Sequence, residues 1–248
     1  MSLTSVTLSN VVKKQYAFKM KSFMGVFTSL VVMQILAIIF SLNGVASSGG
    51  SINGNVVHVQ YYSADTVIAF TMLWAFINAI IITTKAYRED DFAFVTNRLS
   101  SNLSNIAFLV TASLIGAITA ILSSFLLKVI LYFVFQLEST INAGAYFDSI
   151  EFVAGVVTTF LFVLLFSSIG YVIGSIVQTN KLFLFIIPVL FFGMLVPVSR
   201  NGYNIMIYSF NFYFQEASFV FTVLKVFITV IVLFAAAIAL MNRKEVRK

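Results

Sequence analysis

Long apolar runs separated by short polar stretches set the layout of this chain. Runs at 22–42, 66–84, 106–134, 150–177 and 218–240 each match the roughly 20 residues a helix needs to cross a hydrocarbon core of about 30 Å. The 106–134 run is long enough to tilt or protrude. A sixth run, 182–197, is short for a full crossing and ends at Pro197. The pattern predicts an all-α polytopic protein with six spans and no β-barrel alternation. Residues 198–217 then alternate aromatic and polar side chains, as in Tyr203 to Phe214. Irregular backbone at membrane depth must be buried in protein or line a cavity. A re-entrant hairpin on the outer side is therefore expected between the fifth and sixth spans.

The polar stretches carry the rest of the pattern. In residues 1–21, Leu8, Val11, Val12 and Tyr16 share a helical face, with Asn10, Lys13 and Ala17 opposite. Lys13, Lys14, Lys19 and Lys21 make this segment basic, which predicts a helix lying on the membrane surface. There each lysine near anionic lipid contributes about 1 kcal/mol. Residues 43–65 are rich in Gly, Ser and Asn and hold no Lys or Arg. The stretch 85–105 is the longest polar interruption on the basic side. It holds Glu89, Asp90 and Asp91 with Lys85, Arg88 and Arg98. If it is helical from about Asp90, Phe92, Val95 and Leu99 fall on one face, with Phe94 nearby. Such a helix between two spans needs a receiver for its apolar side, either the headgroup layer or a partner protein.

Charge fixes the orientation. Of fifteen Lys and Arg, twelve lie on the side of the N-terminus, while only Arg200 lies on the opposite side and Lys128 and Lys225 lie within spans. This is a positive-inside pattern, so both termini are expected in the cytoplasm. Charged residues are only 10% of the chain, against about 25% in soluble domains. With no cysteine and a single His58, thiolate chemistry and multi-histidine metal sites are excluded. The chain has no phosphate-cradling G-x-x-x-x-G-K-[ST], no H-E-x-x-H and no G-x-S-x-G. It is not expected to be an enzyme, and no removable signal peptide or nucleic-acid partner is expected.

A few residues at depth are candidates for more than packing. Lys128 and Lys225 are ionisable and lie toward the outer ends of their spans. They either snorkel to the interface or face a cargo path, with Glu138 or Glu216 as partners. Gln34, Trp74 and Asn78 either glue helices together or line that path. Gly170 and Gly174 form a G-x-x-x-G that permits close helix approach, within the subunit or across a dimer seam.

This layout resembles the membrane subunit of an ABC-2 type transporter. The matching residues in the cytoplasmic loop are Arg88, Glu89, Phe92, Phe94, Leu99, Ser100 and Ser101, where the family carries its coupling helix. Asn102 stands where the family often has a proline, and Asp91 and Phe92 stand where it often has a glycine. The run SSIGYVIGSIVQTNK at 167–181 resembles the family's small-residue fourth span, and FFGMLVPVS at 191–199 its entry into outer re-entrant helices. The resemblance implies a multi-pass protein of the bacterial cell membrane. It also implies a homo- or heterodimer of such subunits, each docked on a cytoplasmic ATPase that binds ATP and Mg. No cofactor is expected in this chain itself. On this reading it exports an amphipathic or hydrophobic cargo, such as an antimicrobial or cytolytic peptide or a lipid-like molecule, and can confer antimicrobial resistance. The alternative is a non-transporting membrane scaffold or immunity protein.

Overall fold

The computed structural model describes residues 7–44, 46–52, 55–63, 65–87, 97–135, 149–180, 182–195, 205–215 and 218–242. Helix α1 (Leu8–Ser22) leads into α2 (Met24–Ser41) across a single non-helical residue, Phe23, with φ −100° and ψ 31°. After α2 the chain turns at Gly44, whose φ of 81° suits a residue without a Cβ. It then forms a hairpin of β1 (Ala46–Ile52) and β2 (Asn55–Tyr61), antiparallel, with Ala46 opposite Tyr61 and Ile52 opposite Asn55. Then follow α3 (Asp65–Ile82), α4 (Arg98–Phe135), α5 (Ser149–Thr179), α6 (Phe183–Leu195), α7 (Ile205–Phe214) and α8 (Phe219–Asn242). The framework is helical, and the hairpin is the addition that hydropathy did not predict.

Five helices, α2, α3, α4, α5 and α8, are long and apolar enough to cross a membrane. The protein is therefore of the multi-pass membrane kind. Helix α4, with 38 residues, measures about 57 Å at 1.5 Å per residue, well beyond a hydrocarbon core. Helix α6 has 13 residues and an internal Pro188. It spans only about 20 Å, and its proline frees one carbonyl from the helical ladder.

The outer faces of the bundle are apolar and exposed, as on α2 (Val31, Val32, Ile35, Ile39) and α8 (Val220, Leu224, Phe227, Ile231). In water such stripes would drive aggregation, whereas in a bilayer they are solvated by acyl chains. The interior is built differently. Helix α5 lies at the centre, packed against α3, α4 and α8. It approaches α3 most closely at Gly170 and Gly174. A Cβ on Gly170 would strike the backbone carbonyl of Phe76 and lie 3.2 Å from Ala79 Cβ. A Cβ on Gly174 would strike the side chain of Thr83 and lie 3.2 Å from Ile80 Cα. The G-x-x-x-G is thus occupied by a contact inside this chain.

Buried hydroxyls are mostly satisfied by their own helix. Ser41 donates to Ala37 O, Thr71 to Val67 O, Ser123 to Thr119 O and Ser175 to Tyr171 O. This lets Ser and Thr sit in an apolar interior without an unpaired polar atom. The start of α2, the ends of α3, α5 and α8, and the start of α4 meet at one end of the bundle, beside α1. Edge-on ring contacts mark that end, with Phe23 4.7 Å from Tyr87 and 5.8 Å from Phe108 between centroids.

Candidate functional site

The α1 end of the bundle holds a layer of buried polar side chains. Helix α4 begins at Arg98, eight residues before the apolar run that hydropathy marks as a span. Asn97 opens it, accepting from Leu99 N at 3.4 Å through its side chain and from Ser101 N at 3.1 Å through its carbonyl. The first turns of α4 then carry Ser100, Asn102, Ser104 and Asn105 into the interior, each at most 5% exposed. The helix extends this early because Asn102, Ser104 and Asn105 find partners across the bundle, while Ser100 donates to Asn97 O at 2.7 Å.

The first partner is Lys19, which is fully buried. Its ammonium donates to Ser104 Oγ at 2.8 Å and to Asn105 Oδ1 at 2.5 Å. The Asn105 amide donates in turn to Tyr171 Oη at 3.4 Å. The Tyr171 hydroxyl donates to Asn102 Oδ1 at 2.8 Å. A directed chain of hydrogen bonds thus runs from α1 through α4 to α5 and back to α4. Each bond polarises the next in a low-dielectric interior. Tyr171 also sits edge-on against Phe234 of α8. Arg98 donates to the Met241 carbonyl at 3.2 Å, a cation on the last turn of α8 where the helix dipole favours it. Four helices are tied at one level.

This corrects the sequence reading of α1. Lys19 does not face lipid headgroups, and Leu8, on the predicted apolar face, is 45% exposed. The face turned inward is centred on Gln15 and Lys19, with Tyr16 bonded to Thr111 Oγ1 at 2.9 Å. The polar side chains of α4 decide which face of α1 docks. The coupling segment was expected over 85–105, but 98–105 is the first two turns of α4. Of its named residues, Arg98 and Leu99 stand there; Arg88, Glu89, Asp90, Asp91, Phe92, Phe94 and Val95 lie outside the described residues.

A second polar group lies in the middle of the bundle. The Gln34 amide donates to Thr119 Oγ1 at 2.9 Å, to Thr71 Oγ1 at 3.2 Å and to the Gly116 carbonyl at 3.3 Å. It joins α2, α3 and α4, the gluing role of an amide in an apolar interior. Trp74, buried, donates through its indole to Ser29 Oγ at 2.9 Å, and Asn78 donates to the Trp74 carbonyl at 2.8 Å. At the far end, the Lys225 ammonium sits 4.5 Å from the Phe212 ring centroid, and Tyr213 bonds Thr229 at 3.1 Å. Helix α7 is thereby held beside α8. Lys128 is half-buried on α4. Glu138 and Glu216, the partners expected for Lys128 or Lys225, lie outside the described residues.

Among the described residues no group of three His, Cys, Asp or Glu gathers to hold a metal. Sequence reasoning missed Lys19, Asn102, Asn105 and Tyr171. The available signal was phase: Asn102 and Asn105 continue the buried stripe of Leu109, Ala112 and Gly116 at three- and four-residue steps. Comparison of the chain with protein-family models, curated proteins and solved structures gives no match.

Proposed function

We propose that this chain is the permease subunit of an ATP-driven ABC-2 type exporter. It would dock through residues 88–99 on a separate cytoplasmic ATPase that holds ATP and Mg. The observation that carries the reading is the anchoring of both stems of that segment. On one side Tyr87 packs on Phe23, the junction of α1 and α2. On the other, Arg98 holds the end of α8, and Asn102 and Asn105 hold Tyr171 of α5. Asn105 and Ser104 also hold Lys19 of α1. A displacement of the segment would reach α1, α2, α5 and α8 together, and α4 would carry it across the membrane as one rigid rod.

On this reading the basic end is cytoplasmic, as the excess of Lys and Arg there supports. Helix α6 serves as a short fifth crossing and α7 as the re-entrant arm. The packing of Phe212 and Tyr213 one to three turns inside α8 supports that placement. The cargo is amphipathic or hydrophobic, a peptide or lipid-like molecule, since the interior polar groups are mostly neutral amides and hydroxyls. Two such subunits would assemble, as a homo- or heterodimer.

The test is co-purification from detergent with the candidate ATPase, comparing wild type with the Phe92→Ala, Phe94→Ala double variant. The expected result is a stoichiometric complex with ATP turnover for wild type and loss of the ATPase for the variant. A wild-type chain that purifies alone with the ATPase present overturns the coupling reading in favour of a non-transporting scaffold or immunity protein.

A further inference from the structure

Between α2, α3, α4 and α5 lies a narrow crevice walled by Val26, Trp74, Asn78, Phe108, Ser113 and Ser167 among others. A second gap, with about 10 Å³ open to a water molecule, shares Val26, Asn78 and Phe108 with it and continues past Phe23 and Ile81 to Tyr87. The two form one crevice from mid-bundle to the α1 end. Among the described residues no Lys, Arg, His, Asp or Glu lines either part.

Two hydroxyls in this crevice break the rule followed elsewhere in the bundle. Ser113 is 1% exposed and Ser167 0%, and neither Oγ has a hydrogen-bond partner among the described residues. Their neighbours Thr111 and Ser168 turn back onto Ala107 O and Leu165 O. Ser113 and Ser167 instead border the same cavity, from α4 and α5. The cavity as it stands is too narrow to admit a water molecule. A dry, unpartnered hydroxyl is unfavourable unless another state of the molecule satisfies it.

We propose that this crevice is the binding site of a neutral amphipathic molecule, an alkyl chain ending in an uncharged hydrogen-bonding group, whose polar end bonds Ser113 and Ser167. The apolar walls suit the chain, and the described lining, with two neutral hydroxyls and no Lys, Arg, His, Asp or Glu, suits an uncharged head. Entry is lateral, from the hydrocarbon between α2 and α3, where Val26 and Asn78 are only half-buried and Ile81 is exposed. Widening needs α2 to swing about Phe23, the one non-helical residue between it and α1. The site stands on the geometry of the bundle; only its identification as the cargo site rests on the permease reading.

Trp74 is the chain's single tryptophan and lines the cavity, so its fluorescence reports occupancy. The experiment titrates an ω-bromooctanol into the purified chain in lipid nanodiscs, without any ATPase. The expected result is saturable quenching of Trp74. The half-saturation concentration should rise about tenfold or more in the Ser113→Ala, Ser167→Ala double variant, as loss of hydrogen bonds to the probe implies. The matching bromoalkane and ω-bromo carboxylate should quench only in proportion to their concentration in the lipid. Quenching by the alcohol that never saturates, or one unchanged half-saturation in wild type and variant, overturns the proposal. If the double variant fails to fold, single Ser167→Ala gives the same reading at smaller amplitude. Because the chain is measured alone, failure here is separable from failure to bind an ATPase.

Discussion

Lys19 decides how α1 sits. An ammonium beside a membrane span ordinarily stays among headgroups, but here it is buried between Ser104 and Asn105. Removing it leaves Asn105 Oδ1 without this donor, while Ser104 still donates to Ser101 O and the Asn105 amide to Tyr171. Lys19→Ala is therefore expected to destabilise the protein by about 2–3 kcal/mol, as for a hydrogen-bonded charged group. Tyr171→Phe should cost less, about 1–2 kcal/mol, because the bonds lost, to Asn102, Asn105 and Met241 Sδ, are those of a neutral hydroxyl. Thermal unfolding in detergent measures both. Melting temperatures equal to wild type would show that the polar layer does not hold the bundle end.

Helix pairing rests on the absence of side chains. Gly170 and Gly174 let α5 close onto α3, and the two positions differ in what opposes them. At Gly170 the obstacle is the Phe76 backbone carbonyl, which cannot rotate away, whereas at Gly174 it is first the Thr83 side chain. Gly170→Ala should therefore destabilise by about 2–3 kcal/mol, toward the upper end for overpacking, and Gly174→Ala by less. Thermal unfolding followed by size exclusion should show that order, and the reverse order would place the tightest contact one turn away. Helix α7 is held more lightly, by the Lys225 ammonium on the Phe212 ring and by the bond between Tyr213 and Thr229.

Among the described residues a bonded polar layer gathers at the α1 end, and the proposed function requires that end to face the cytoplasm. The chain has no cysteine, so a single introduced thiol reports its own side of the membrane. Asn43, after α2, and Ala86, after α3, are both exposed at opposite ends of the bundle. In intact cells a membrane-impermeant maleimide is expected to label Asn43→Cys, and to label Ala86→Cys only after permeabilisation. The opposite pattern would turn residues 88–99 away from any cytoplasmic ATPase and remove the basis of the coupling proposal.

Hydropathy alone marks α2, α3, α4, α5 and α8 as long and apolar enough to cross a membrane, because a helix needs about 20 apolar residues to satisfy its backbone in lipid. It also marks the break between α1 and α2 at 22–24, and the shortness of α6. A β-hairpin over 46–61 was not legible, since Gly, Ser and Asn say little about pairing register. Nor was the early start of α4, because Ser100, Asn102, Ser104 and Asn105 read as loop residues until a buried Lys19 and Tyr171 stand opposite them. The same holds for Ser113 and Ser167, ordinary serines in apolar runs until α4 and α5 bring them to one cavity. Apolar transfer is a property of a segment, so a single segment reveals it. A hydrogen bond between helices is a property of two segments and their rotation, and only the tertiary packing sets that.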